Sequence, residues 1–169
     1  PSLQASWLLL HFCAVPRINH LLRTVPPDLA QGFADRHDAS IQGTFRAVFG
    51  IAEESAWNVN LHKLAFNTWV RQSQLPLRLG GCGLRNSGRT SSAAYWASWA
   101  DSVQGMCQRF PVVGSRILFH MTAIQAAATP FSALCCIMQA ELAGTWCEAQ
   151  GWTDRPTWVD LVAGVRPAR

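Results

Sequence analysis

The chain has 169 residues, 49% of them apolar and only 14% charged, with a net charge of +4 at pH 7. A chain of this length buries roughly 70% of its unfolded surface, enough for one domain or two small ones, and its composition excludes intrinsic disorder over most of its length. Thirteen of the 14 basic residues are Arg, Ala occurs 23 times and the first residue is Pro1 rather than Met, which leads us to expect a mildly basic, helical piece of something longer.

Taken in chain order, Trp7 to Val15 is an apolar run. No basic residue precedes it and no small-residue cleavage site follows before Pro16, so it does not read as a secretory signal. Pro26-Pro27-Asp28 is a helix start, since Pro fits the first turn and Asp is favourable beside the positive helix end. From there Leu29, Phe33, His37, Ile41, Phe45 and Phe49, with Val48, recur every four residues up to Gly50, predicting an amphipathic helix and its stop. A second helix is expected from about Asn60 to Arg71, with Leu61, Leu64, Ala65 and Trp69 on one side. A third is expected from about Ser91 to Phe110, burying Ala93, Trp96, Ala97, Ala100, Val103, Cys107 and Phe110 and ended by Pro111. Two more are expected over about Val113 to Ala128 and Ser132 to Gln150, and a short one after Pro156. No alternating strand pair with turn chemistry occurs. The predicted class is mainly α, an irregular bundle of about five to seven helices: a helical region over 1–74, a Gly/Arg-rich loop over 75–89 and an Ala/Trp-rich helical region over 90–169, possible parts of one continuous domain.

Charge is distributed unevenly. Residues 1–27 sum to +2, 28–54 to −3, 55–89 to +5 without a single acid, and 90–169 to 0. The positive stretch, carried by Lys63, Arg71, Arg78, Arg85 and Arg89, fits a polyanionic partner such as nucleic acid, and equally fits a solvated loop and helix face. The Arg excess weighs less, because a G+C-rich coding sequence produces Arg and Ala together. The six cysteines form no Cys-x-x-Cys pair, which argues against structural zinc, and neither length nor apolarity suits a disulfide framework. They read as small buried hydrophobes of a reducing, intracellular compartment. The uncharged run Ile117 to Ala140 is interrupted by His120, Thr122, Gln125, Thr129, Pro130, Ser132 and Gln139, so it reads as buried helices joined at Pro130 rather than a membrane span.

The segment from Leu75 to Arg89 is the clearest non-helical one. Gly80, Gly81, Gly83 and Gly88 give its backbone positive φ and close approach. It lacks the Gly-Lys-Ser/Thr ending of a phosphate loop, and Asn86 stands where a dinucleotide fingerprint needs Gly. The simpler reading is a tight turn that packs Leu79 and Leu84 and faces Arg78, Arg85 and Arg89 outward. Leu75-Pro76 with Gly80-Gly81-Cys82-Gly83-Leu84, followed by Ala94-Tyr95-Trp96-Ala97-Ser98-Trp99, resembles the L-P-x-x-x-G-G-L-G-L segment that follows the polymerase in reverse transcriptases of non-LTR (LINE-type) retrotransposons, with Cys82 in place of a Leu. Upstream, the run from Phe12-Cys13-Ala14-Val15-Pro16-Arg17-Ile18-Asn19-His20 through Arg23 to Pro27 resembles the stretch after the palm, at the start of the helical thumb. The resemblance covers about residues 7 to 100.

It implies a fragment that contacts an RNA/DNA template-primer through the phosphate backbone, alongside a palm and fingers lying N-terminal to it. Candidate contacts are Arg17, Asn19, His20 and Arg23 in the first motif region and Arg78, Arg85 and Arg89 in the second, with Pro76, Gly80, Gly81 and Gly83 shaping the loop. The palm of such polymerases binds two Mg²⁺ through an Asp-Asp pair; this sequence contains no Asp-Asp, so no catalytic residue, cofactor or metal is assigned to the chain itself. For Arg17 and His20 the plainer roles are a helix cap and a packed histidine. Asp35, His37 and Asp38 cluster in sequence, but a helix puts His37 with the apolar stripe and apart from the two acids. No G-x-S-x-G nucleophile turn occurs, and most of the eight tryptophans fall on helical stripes. The competing expectations are a helical protein-interaction or scaffold module built on the Ala-rich helices from 117 to 149, and a decayed element copy without selected function.

Overall fold

The computed structural model describes residues 2–50, 59–127 and 135–167, with side chains described outside 59–66, 124–127 and 135. The chain is mainly α, with no strand among the described residues. Among the described residues it is carried by five long helices: α3 (Pro27–Val48), α4 (Val59–Gln74), α5 (Ser87–Arg109), α6 (Pro111–Ala127) and α7 (Cys135–Ala149). Shorter ones are α1 (Leu3–Leu9), α2 (Asn19–Thr24) and α8 (Trp158–Val162). The sequence-expected positions Leu61, Lys63, Leu64 and Ala65, the joint at Pro130 and the helix start at Ser132 lie outside the described residues or side chains.

Two compact units form, each assembled from separated segments: residues 1–19 with 32–90, and residues 20–31 with 91–169. In the first unit, Leu10, Val15, Ile41, Phe45 and Leu84 make a small core, with Ala14, Phe49 and Cys82 against it. In the second, Tyr95, Trp96, Ala100 and Val103 of α5 meet Met121 of α6, Ile137, Ala140 and Ala143 of α7 and Trp158 and Leu161 of α8. The Trp96 ring lies edge-on to Trp152 at 4.8 Å and tilted against Trp158 at 5.8 Å, offset geometries that aromatic quadrupoles favour.

Helix α3 starts at Pro27 as expected, and Gly50 beyond its end has φ 63°, a conformation that costs glycine little. Its buried face differs from the expected one. Ala30, Ala34, Asp38, Ile41 and Phe45 are buried, whereas Leu29 and Phe33 are 67% and 57% exposed. The reason is helical geometry: a strict four-residue step advances about 400°, so such a row drifts by about 40° per step around the helix. The buried set mixes steps of four and three and stays on one side. Similarly, α5 buries Tyr95, Trp96, Ala100 and Val103, while Ala93 and Phe110 are exposed.

Pro111 both ends α5 and opens α6 at the first helical position, where its missing N–H costs nothing. Gly114 is required there, because a Cβ would overlap the backbone of Cys107. The last helix, α8, is fixed by a capping box: the Thr157 hydroxyl accepts from the Asp160 N–H, and the Asp160 carboxylate accepts from the Thr157 N–H. The Thr157 hydroxyl also donates to the Asp160 carboxylate at 2.6 Å; that bond first, and the one from the Thr157 N–H second, hold the Asp160 carboxyl below its ordinary value. No helix among the described residues is long and apolar enough to cross a membrane.

Candidate functional site

The first motif region folds irregularly. After α1, residues Leu10–Ala14 widen into a π turn, closed by the Val15 N–H on the Leu10 carbonyl, and Val15–Ile18 then tightens into a 3-10 turn. Pro16 accounts for this: it has no N–H for the carbonyl four residues back, and its ring would crowd that turn of an α-helix. The widened turn leaves Phe12 65% exposed. Behind it His11 stacks on Trp7 at 5.2 Å and meets Phe12 edge-on at 4.7 Å, so three aromatic rings form one continuous set.

The glycine loop is pinned to the end of α4. The Cys82 and Leu84 N–H groups donate to the Ser73 carbonyl, and the Gly83 N–H donates to the Leu75 carbonyl, which satisfies carbonyls that the helix end leaves open. Gly80 and Gly83 have φ 77° and 67°. At Gly81 a Cβ would run into the Leu75 carbonyl, so this glycine serves close approach rather than an unusual φ. Within the loop Leu77–Leu79 makes a short 3-10 turn, and α5 begins already at Ser87; the non-helical segment is thus shorter than residues 75–89. Leu84 is buried, but Leu79 is exposed, so only one of the two expected anchors packs.

The N-terminus of α5 is occupied by the protein itself. Asp38, buried on α3, accepts from the Ser87 N–H at 2.9 Å on both carboxylate oxygens and from the Gly88 N–H at 3.2 Å. Those are the donors a phosphate would need, which agrees with the departure of the loop from nucleotide-binding fingerprints. Asn86 caps the same helix through the Arg89 N–H. The role of Asp38 was not visible in the sequence, because its partners lie 49 and 50 residues away.

The two motif regions form the walls of one open groove of about 510 Å³ in the first unit. His11, Phe12, Pro16 and Asn19 contribute one side, and Pro76, Leu77, Gly83 and Arg85 the other. Gly83 keeps the wall close, since a Cβ there would lie 3.0 Å from His11 Cε1.

Of the sequence-assigned contacts, Arg17, Asn19, Arg78, Arg85 and Arg89 are exposed residues of this unit. Arg17, Arg78, Arg85 and Arg89 make no ion pair among the described residues. His20 and Arg23 belong to the second unit. His20 is exposed and therefore not a packed core histidine. Arg23 pairs with Asp101 at 2.7 Å, a surface bond of the kind that contributes about 0.5 kcal/mol. Asp35 is exposed and Asp38 serves α5, and no group of three or more metal-ligating side chains occurs among the described residues. No family model, curated protein sequence or solved structure matches the chain.

Proposed function

We propose that the chain is a non-catalytic, post-palm helical region of a non-LTR-type reverse transcriptase, whose first unit contacts the sugar-phosphate backbone of an RNA/DNA template-primer. The observation that carries this reading is the groove: residues of two sequence motifs, each resembling a segment of that family and lining the groove from positions more than 50 residues apart, come together in it. The exposed, unpaired guanidinium groups of Arg17, Arg78, Arg85 and Arg89 in the same unit support it, because each can bind phosphate without giving up an internal partner. Backbone recognition asks for positive charge and hydrogen-bond donors rather than for base-reading elements.

The test is anisotropy of a labelled RNA/DNA hybrid with the 169-residue chain at increasing salt. Binding that weakens linearly in log-log form, with a slope near −0.9 for each phosphate contacted, is the expected result. Absence of binding at low salt, or binding indifferent to salt, overturns the proposal.

A protein-interaction module is the second reading, favoured by α6. Opposite its buried face, Val112 and Phe119 stand 69% and 67% exposed with Arg116 between them, an apolar stripe open to solvent. A stable oligomer of the chain that Phe119→Asp dissolves, together with no hybrid binding, would favour it.

A further inference from the structure

We infer that the groove of the first unit holds a single unpaired nucleobase of a bound nucleic acid, stacked on Phe12. This rests on the nucleic-acid reading above and goes beyond it, since backbone contact alone explains the arginines but not the apolar wall. Phosphate and sugar are recognised by charge and hydrogen-bond donors; a groove that presents an exposed phenyl ring and an exposed Leu77 beside Pro16 and Pro76 offers something different. Its volume, about 510 Å³, lies within the range of small-ligand sites, ample for one base with its sugar and too small for a stacked duplex to enter.

The chemistry of the lining matches such a guest. The Phe12 ring meets His11 edge-on, and His11 is itself stacked on Trp7, so the platform is braced before anything binds. Every base has a π face, and stacking on an aromatic side chain is tolerant of sequence. Asn19 and Gln74 also line the groove, and each amide carries both a donor and an acceptor for a base edge. Arg85, on the same wall and without an ion pair among the described residues, is placed to take the adjoining phosphate.

The irregular backbone is part of the device. The π turn over Leu10–Ala14 keeps Phe12 on the open side of the helix, and such turns cluster at functional sites. Gly83 brings the opposite wall up to His11 without a side chain between them.

The experiment compares two hybrids of equal duplex length, one blunt and one carrying a single-nucleotide 2-aminopurine overhang, with the 169-residue chain. The expected result is tighter binding of the overhang by roughly ten-fold, the scale of one base–aromatic stack, with quenching of the 2-aminopurine fluorescence. Phe12→Ala should remove that preference and the quenching while leaving blunt-hybrid affinity and its salt slope unchanged; Phe12 is exposed, so the change spares the core. Asn19→Ala should weaken the overhang by more than it weakens the blunt hybrid. Equal affinity for the two hybrids without quenching, or equal loss on both in Phe12→Ala, overturns this inference and leaves the backbone-contact reading standing. Binding of neither hybrid overturns both.

Discussion

The two units use the same ionic side chains in opposite ways. In the second unit they are turned onto one another. Arg155, whose side chain is 4% exposed, makes a two-pronged pair with Glu141 and a further bond to Glu148, and Glu141 also accepts from Trp158 Nε1 at 2.6 Å. Burial acts to lower the Arg155 pKa, but the hydrogen bonds that the guanidinium donates to both carboxylates outweigh it and hold it above its ordinary value. Arg166 bonds Gln104 and the Ala100 carbonyl, and Arg23 bonds Asp101; Arg109 and Arg116 have neither an ion pair nor a side-chain hydrogen bond among this unit's described residues. In the first unit the buried carboxylate, Asp38, is given to backbone N–H groups, and Arg17, Arg71, Arg78, Arg85 and Arg89 are left without ion pairs among the described residues. An Arg-rich composition therefore carries no meaning by itself. What matters is whether a carboxylate stands within reach, and that is decided by the fold.

The largest expected effect comes from breaking the buried network. Glu141→Ala leaves the Trp158 N–H unpaired and the buried Arg155 guanidinium with Glu148 alone, and should destabilise the second unit by about 3 kcal/mol, read as an earlier unfolding transition in tryptophan fluorescence. Trp96, Trp152 and Trp158 make that signal sensitive to this unit. A wild-type transition would show that the network contributes little. In the first unit, Asp38→Ala strands the Ser87 and Gly88 N–H groups, and a cost of about 1–3 kcal/mol is expected from denaturant midpoints. Asp38→Asn should recover part of that loss, since the amide oxygen still accepts.

A smaller effect concerns pH. Because the folded state holds the Asp160 carboxyl below its ordinary value, its contribution to the α8 cap is present above the ordinary carboxylate range, near pH 4, and disappears as pH falls through the lowered value. Fraying of Trp158–Val162, followed by amide NMR, should accordingly begin only below about pH 4 and should move to neutral pH in Asp160→Asn.

Helix positions were readable from the sequence because their punctuation is local: Pro26-Pro27-Asp28 and Gly50 bracket α3, and Pro111 divides α5 from α6. Which face is buried was less readable. Ala30 and Ala34 carry too little apolar surface to stand out beside Leu29 and Phe33, although the buried side follows the alanines. At the site, the glycine loop and its arginines were visible as composition. The π turn, the shared groove and Asp38 were not, since each depends on residues far apart in the chain or on a backbone departure that hydrophobic periodicity cannot register.

The most direct measurement of the central claim is the salt dependence of RNA/DNA hybrid binding for two variants. Replacing Arg78, Arg85 and Arg89 together by Ala should lower the magnitude of the log-log slope by about 3, at roughly 0.9 for each lost phosphate contact, with the unfolding midpoint unchanged. Replacing Arg109 and Arg116, the unpaired arginines of the second unit, should leave the slope as it is. A slope that falls with the second pair and survives loss of the first three would contradict the assignment of the nucleic-acid contact to the first unit.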